Sequence, residues 1–285
     1  MAVKILTDST SYINGALKKE LDITVVSLSV KFPDESFKET EIKNEDFYDL
    51  MEEKGIPISS QPPVGEIYDA MDKIVSAGNK LLCIFISSEM SGTYSTAHLA
   101  KNMILDKNPQ AEINILDSRS NCMQLGFAAV IAARAAKIGK SLQEVTEEAK
   151  LNVKRSRFLF IPHNLKYLQK GGRIGRASAL IGNFLKIIPV LTVEDGVTSI
   201  LTKVRTKKSA VDTMVQRMES DISDYGLGEV VVHHINCIDE AKDLAERIQN
   251  SYGIPVTIVD IGPVIGVHVG PGAIGIAYYT KNDMR

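Results

Sequence analysis

No charge of one sign dominates this chain of 285 residues: 33 Lys and Arg stand against 35 Asp and Glu, leaving a net charge of −2. A global field that would draw nucleic acid is therefore excluded. No apolar stretch approaches the roughly 20 residues that a membrane span needs, so stable membrane insertion is excluded as well. There are only 3 cysteines, Cys83, Cys122 and Cys237, widely spaced and without a CxxC pair. An odd, scattered set argues against a disulfide framework and for a reduced, cytoplasmic setting. The opening Met1-Ala2-Val3-Lys4-Ile5-Leu6-Thr7-Asp8 turns polar too early for a signal peptide. Tryptophan is missing altogether, which carries no functional weight. What remains is a chain with 44% hydrophobic residues, enough to fill the core of one large domain or two ordinary ones.

Several catalytic patterns are also lacking. Gly270-Pro271-Gly272-Ala273-Ile274-Gly275 has the spacing of a dinucleotide fingerprint, but only ten residues follow it and they read as a strand. A nicotinamide site needs a helix, a second strand and an acid about 20 residues on. Gly139-Lys140-Ser141 resembles the end of a phosphate loop, yet position 134 is Arg134 and Ser141 with Glu144 forms a capping box instead. His233 and His234 are adjacent in a predicted strand and face opposite sides, so they cannot easily share a metal. No His/Cys/Glu group has zinc spacing, and no GxSxG elbow is present. A Ser91–His268 dyad stays open as an alternative hydrolytic reading.

Short apolar runs alternate with helical patterns in the first half, which predicts buried parallel strands. Three runs end in hydroxyl-bearing or acidic turns: Thr7-Asp8-Ser9-Thr10, Ser87-Ser88-Glu89-Met90-Ser91-Gly92-Thr93 and Asp117-Ser118-Arg119-Ser120. Ligands of open α/β sheets bind beyond the carboxyl ends of the strands, so these turns should gather along one edge suited to an oxyanion. A strand is expected over 24–31, polar loop over 33–41, a helix begun by Asn44 as its N-cap, and a stiff loop through Ser59-Ser60-Gln61-Pro62. Composition shifts near 153. The expected division is a domain over 1–152, a Rossmann-like α/β/α sandwich with a parallel sheet, and an α/β domain over 153–285. Asp195-Gly196 between two apolar runs signals a hairpin, and antiparallel pairing beside βαβ crossovers gives that second domain a mixed sheet. The default ligand site lies between the two.

Within this frame some motifs have two readings. Ser91-Gly92-Thr93 at a helix start offers hydroxyls and free N–H groups to an anion, and equally caps the helix. Arg173 follows Gly171-Gly172, where a guanidinium can grip a carboxylate or simply be solvated. His268 lies in a Gly-rich connection expected between strands. Lys203, Arg205, Lys207 and Lys208 cluster beyond a strand, either as a solvated face or as a patch for an acidic partner.

Taken in order, Thr7-Asp8-Ser9-Thr10, Glu45-Asp46-Phe47-Tyr48, Ser60-Gln61-Pro62, Ser87-Ser88 with Ser91-Gly92-Thr93-Tyr94, Asp117-Ser118, Tyr167-Leu168 with Gly171-Gly172-Arg173-Ile174, and His268 with Gly270-Pro271-Gly272 resemble the DegV family nearly end to end. Its best-understood members are fatty-acid-binding subunits of bacterial fatty acid kinase. The resemblance implies a two-domain protein that holds one long-chain fatty acid in a tunnel between its domains. A separate ATP-dependent kinase subunit would phosphorylate the carboxylate, and an acyltransferase would receive the acyl phosphate for phospholipid synthesis. By motif match Ser91 and Gly92 would hold the carboxylate, with Ser59 where the family often has Thr, and Arg173 nearby. Arg205 and His268 match positions tied to kinase docking or phosphoryl transfer. Tyr12 stands where the family often has Asp. Candidate tunnel lining is Ile161, Leu180, Ile181, Phe184, Leu185, Ile187, Ile188, Leu191 and Ile265. The chain shows no ATP, Mg²⁺ or other cofactor site, so a carrier rather than a stand-alone kinase is expected. A Ser-dependent acyl hydrolase and a module for another small carboxylate or phosphate are the alternatives.

Overall fold

A computed structural model describes residues 1–180 and 187–284. The elements of the first half are β1 (Val3–Asp8), α1 (Gly15–Glu20), β2 (Ile23–Val26), β3 (Ser29–Lys31), β4 (Ser36–Lys38), α2 (Asn44–Lys54), β5 (Ile58–Ser60), α3 (Val64–Ser76), β6 (Lys80–Phe85), α4 (Thr93–Lys107), β7 (Ile113–Asp117), α5 (Cys122–Lys137) and α6 (Leu142–Arg155). The second half holds β8 (Ser156–Ile161), α7 (Lys166–Lys170), β9 (Ile188–Glu194), β10 (Val197–Val204), α8 (Lys207–Tyr225), β11 (Leu227–His234), α9 (Ile238–Tyr252), β12 (Thr257–Asp260), α10 (Pro263–Val269) and β13 (Ile274–Thr280).

The fold is mixed α/β, with a parallel sheet β2-β1-β6-β7 in the first half and a mixed sheet β10-β9-β8-β13-β11-β12 in the second. Helices α3 and α4 cover one face of the parallel sheet, through Ile67, Met71, Ala97 and Ala100. Helices α8 and α9 cover one face of the mixed sheet, through Met214, Met218, Leu244 and Ile248. Between the two sheets lies α5. Its residues from Cys122 to Val130 are all buried, and it packs with residues of both sheets in one cluster. A stretch without a polar face must be covered all round, as it is from Cys122 to Val130, and the helix meets solvent only later, at Arg134 and Lys137. The alanines of Ala128, Ala129, Ala132 and Ala133 let both sheets approach it closely.

The expected hairpin at Asp195-Gly196 forms, with β9 and β10 antiparallel. The capping box of Ser141 and Glu144 is present. That helix runs through the expected 152/153 division to Arg155, and the change of sheet follows at β8.

Five local expectations are corrected. The strand expected over 24–31 breaks at Ser27 and Leu28, where the chain leaves the parallel sheet and enters a small sheet ordered β4-β3-β5. The polar segment over 33–41 contains β4, and the Ser-Gln-Pro loop begins in β5, an edge strand. Three-residue strands have too short a pattern to announce themselves. Asn44 does not cap α2; its amide reaches Asp260 at 2.6 Å, across to the second half. His268 sits on α10 rather than between strands, because Pro263 opens a short helix there.

Candidate functional site

The three polar turns do gather at the carboxyl ends of β1, β6 and β7, but most of their groups serve one another. Asp8 accepts from the Ile86 N–H at 2.7 Å and the Thr10 N–H at 3.0 Å, and burial pushes its carboxyl up to about 6. Ser88 donates to Asp117 at 2.6 Å, and the Ser87 N–H to Ser120 at 2.8 Å. Ser87 Oγ also donates to the Gly196 carbonyl at 2.8 Å, so the hairpin tip of the second half rests on this edge. The edge thus anchors the two halves, and Ser91 of its second turn lines an open space beside it.

That space is a cavity between the two halves, with about 790 Å³ between its atoms including the mouth. Its depth is apolar. Phe158 and Phe160 of β8 stack with ring centres 5.1 Å apart, and Ile265 and Val269 of α10 face the cavity with Leu28 and Ile86. Its mouth is polar, with Ser59 and Ser60 of β5, Gln61 just after it, Ser91 before α4, Arg173 after α7, and His268 of α10. No acidic residue lines it.

Ser59 Oγ and His268 Nε2 lie 2.8 Å apart. Burial holds the His268 imidazole down to about 4, and the charge of Arg173 adds to that, so the ring is neutral at physiological pH. Its Nδ1 is buried without a hydrogen-bond partner. The tautomer protonated at Nε2 donates to Ser59 and frees the serine hydroxyl to donate in turn to an anion. Ser91 Oγ is 2.9 Å from Thr93 Oγ1 and accepts from the Thr93 N–H at 3.3 Å. Helix α4 begins two residues later than Ser91, with Gly92 as its cap and no side-chain cap bond. Gly92 lies close against Gln61: an added Cβ would meet Gln61 Oε1 and push that side chain, whose Nε2 bonds Thr96, aside. Arg173 donates to main-chain carbonyls, Nε to Met90 at 3.0 Å and Nη1 to Gly171 at 2.8 Å.

Ser59, Ser91, Arg173, His268 and Ile265 therefore share one cavity, with Gly92 at its rim. Arg205 is exposed between β10 and α8 and does not line it. Ile161, Leu180, Ile187 and Ile188 line a different hollow. Strand alternation is the reason for Ile161 and Ile188: with Leu159 and Val190 they face α8 and α9, opposite to Phe158, Phe160 and Leu191. Leu191 is buried in the core around the cavity without lining it. Ile181, Phe184 and Leu185 lie outside the described residues. Tyr12 does not line the cavity; its hydroxyl donates to Glu39 at 2.7 Å and accepts from the Ile265 N–H at 3.4 Å. Arg176 pairs with Asp195 at 2.8 Å, and Lys207 of the basic cluster with Glu240 at 2.5 Å.

Residues not singled out in the sequence complete the site. Phe158 and Phe160 belong to the continuous apolar run from Phe158 to Ile161, whose sequence marks a buried strand without telling which face each side chain takes. Asn121 and His233 line the cavity from the start of α5 and from β11, and His233 Nε2 accepts from the Met123 N–H at 3.2 Å. Burial holds His233 down to about 3. Glu39 accepts from Tyr12, from Ser9 at 2.7 Å and from the Val264 N–H at 3.2 Å, tying the first half to the start of α10. Among the described residues no group of three or more His, Cys, Asp or Glu is arranged to hold a metal, and no helix is long and apolar enough to cross a membrane.

Proteins similar to this chain match it nearly end to end. A DegV domain-containing protein of Clostridium acetobutylicum is 65% identical over 285 residues, covering 100% of both chains. DegV of Bacillus subtilis, solved as a fatty acid binding protein, is 31% identical with a TM-score of 0.89 over 99% of this chain and 100% of its own. A stearic acid-binding protein of Eubacterium ventriosum is 25% identical with a TM-score of 0.89, over 98% of each chain. The family profile, described as an uncharacterised protein of the DegV family, matches residues 2–281, and the chain belongs to that family.

Proposed function

We propose that this chain carries one long-chain fatty acid in the cavity between its two halves and presents the carboxylate to a separate kinase subunit, which converts it to an acyl phosphate. The observation that carries the reading is the cavity itself: apolar in depth, free of acidic residues, and closed at its mouth by Ser59, Ser91 and a neutral His268. The fatty-acid-binding neighbours of the same fold support it.

Burying a 16-carbon chain removes about 14 methylenes from water, a gross gain near 11 kcal/mol at roughly 0.8 kcal/mol each. Association and ordering offset much of that. A carboxylate buried without partners would forfeit the remainder, so the mouth must supply donors. Hydroxyls of Ser59 and Ser91 and the N–H groups around Gly92 do so without neutralising the head group. An oxygen left unneutralised stays nucleophilic toward a phosphate donor. Arg205, exposed beyond β10, is then free to meet the kinase, and an acyltransferase is the natural recipient of the product. The hydrolase alternative needs Ser91 beside His268; the histidine instead bonds Ser59, and Ser91 bonds Thr93.

The test is organic extraction and native mass spectrometry of protein expressed in bacteria. One fatty acid per chain is expected. Protein that is empty and shows no affinity for added fatty acid would end the proposal, and a short polar anion in its place would establish the small-ligand alternative.

A further inference from the structure

Two side chains on the wall of the cavity between the halves have polar atoms with nothing to bond. Asn121 opens α5 and His233 stands near the end of β11; both line the cavity, and they are 8% and 0% exposed. An asparagine at the head of a helix ordinarily turns its carbonyl oxygen to the helix's own free N–H groups. Asn121 makes no such bond, and His233 serves in its place, Nε2 accepting from the Met123 N–H at 3.2 Å. The Asn121 amide is left with little: Nδ2 donates to the thioether of Met90 at 3.1 Å, and Oδ1 is buried without a partner among the described residues. Because Nε2 of His233 is an acceptor, the neutral ring carries its proton on Nδ1, which is also buried without a partner. The Val259 carbonyl is near enough to oppose burial in its effect on the ring, but not placed to accept a hydrogen bond. Thr198, on the same wall, is satisfied by donating to the Arg173 carbonyl at 2.8 Å. A stranded acceptor and a stranded donor are costly unless something inside the cavity bonds them.

We infer that the acyl chain this cavity is built for carries a hydroxyl group, recognised by Asn121 and His233. The inference rests on the carrier reading above and names the class of fatty acid within it. A hydroxyl is the smallest group that both donates and accepts, so it can donate to Asn121 Oδ1 and accept from the His233 Nδ1–H. A methylene offers neither, and a plain chain would leave both atoms unbonded in a space it has closed to water. A keto or ether oxygen accepts but cannot donate, so it would leave Asn121 Oδ1 stranded. Phe158 packs edge-on to the His233 ring with centres 5.5 Å apart, which with the Met123 N–H fixes the imidazole in place. Met90, whose sulfur meets the Asn121 amide, directly precedes Ser91 at the mouth. The hydroxyl therefore belongs on the half of the chain nearer the carboxylate.

The experiment sets the unsubstituted 16-carbon fatty acid against 16-carbon acids bearing one hydroxyl at successive carbons, in competition for lipid-free protein, read by native mass spectrometry and calorimetry. The parent protein should prefer an acid hydroxylated in the half nearer the carboxylate by about tenfold, the worth of one good buried hydrogen bond. Asn121→Leu should lose the preference and keep its affinity for the unsubstituted acid within about threefold, since the two side chains are close in volume. If the parent protein bound the unsubstituted acid as tightly as every hydroxylated one, the inference would be overturned, a trapped water then serving the two side chains, and the carrier reading would stand. A preference that survived in Asn121→Leu, or that fell on the far half of the chain, would overturn the assignment to Asn121. Failure to bind any of these acids would overturn the carrier reading as well. The competition on the parent protein needs no variant, so a misfolded Asn121→Leu would not shield the inference.

Discussion

Ser59 Oγ lies 2.8 Å from His268 Nε2, across 209 residues of chain. One comes from an edge strand of the small sheet and the other from a short helix of the second half. The pair is the narrowest polar link between the halves at the cavity mouth. Ser59→Ala removes the hydroxyl and leaves His268 with neither nitrogen partnered. A lost hydrogen bond to an anion is worth about 1.5–3 kcal/mol, so fatty acid affinity should fall by roughly ten- to a hundredfold. Ser59→Thr, which restores the hydroxyl, should recover most of it. Fluorescent fatty acid displacement measures both; an unchanged Ser59→Ala would remove Ser59 from the head-group site.

Gly171 and Gly172 should separate in their effects. Gly171 has φ −77°, which alanine adopts freely, but an added Cβ would overlap His268 Nδ1. Gly172 has φ +70°, which strains alanine, with nothing within 4 Å of the added carbon. Gly171→Ala should therefore displace the imidazole and weaken ligand binding about tenfold with little change in folding. Gly172→Ala should cost about 1 kcal/mol of stability and spare binding. Thermal melts and ligand titrations on both variants distinguish the outcomes, and the reverse pattern would mean that His268 does not shape the site.

The pattern of the chain carried the features that local chemistry decides. Asp195-Gly196 announced its hairpin, Ser141 and Glu144 their cap, and the strand-end turns the edge on which Ser91 sits. Contacts between distant segments were not legible in this way. Glu39 looked like part of a polar loop, and its partners Tyr12 and Val264 lie 27 and 225 residues away. Phe160 and Ile161 are neighbours in one strand, yet period two sends them to opposite faces, Phe160 to the cavity and Ile161 toward α8 and α9. The DegV motifs brought Ser59, Ser91, Arg173 and His268 to notice, and the fold assembles them around one cavity.

Ligand removal should lower thermal stability. A ligand that binds only the folded state adds RT ln(1 + [L]/Kd), about 2.7 kcal/mol at a hundredfold excess over Kd. For a chain of this size that corresponds to a shift in Tm on the order of 5 °C. Lipid-free protein should melt that much lower than the same protein with added fatty acid, and the shift should grow with fatty acid concentration. Equal melting of the two would mean that the cavity closes on its own core without a chain inside.

Glu39 should make stability depend on pH in an unusual direction. Burial pushes its carboxyl up to about 7, opposed by hydrogen bonds from Tyr12, Ser9 and the Val264 N–H. The same group titrates near 4.5 without burial. Between these values the folded protein keeps a proton that the unfolded chain has released, so this contribution to stability falls as pH rises from about 4.5 to about 7, then levels off. His268 and His233 work the other way. Burial holds them down to about 4 and about 3, so their contribution is lost as pH falls below 6.5. Glu39→Gln removes the first effect and keeps the second. Relative to the parent protein, the variant should therefore gain stability between pH 5 and pH 8, by on the order of 2 kcal/mol. Melting temperatures of the two proteins across that range give the difference directly. A difference that stayed flat would show that Glu39 ionises as an ordinary surface carboxylate, and that α10 is not held to the first half through it.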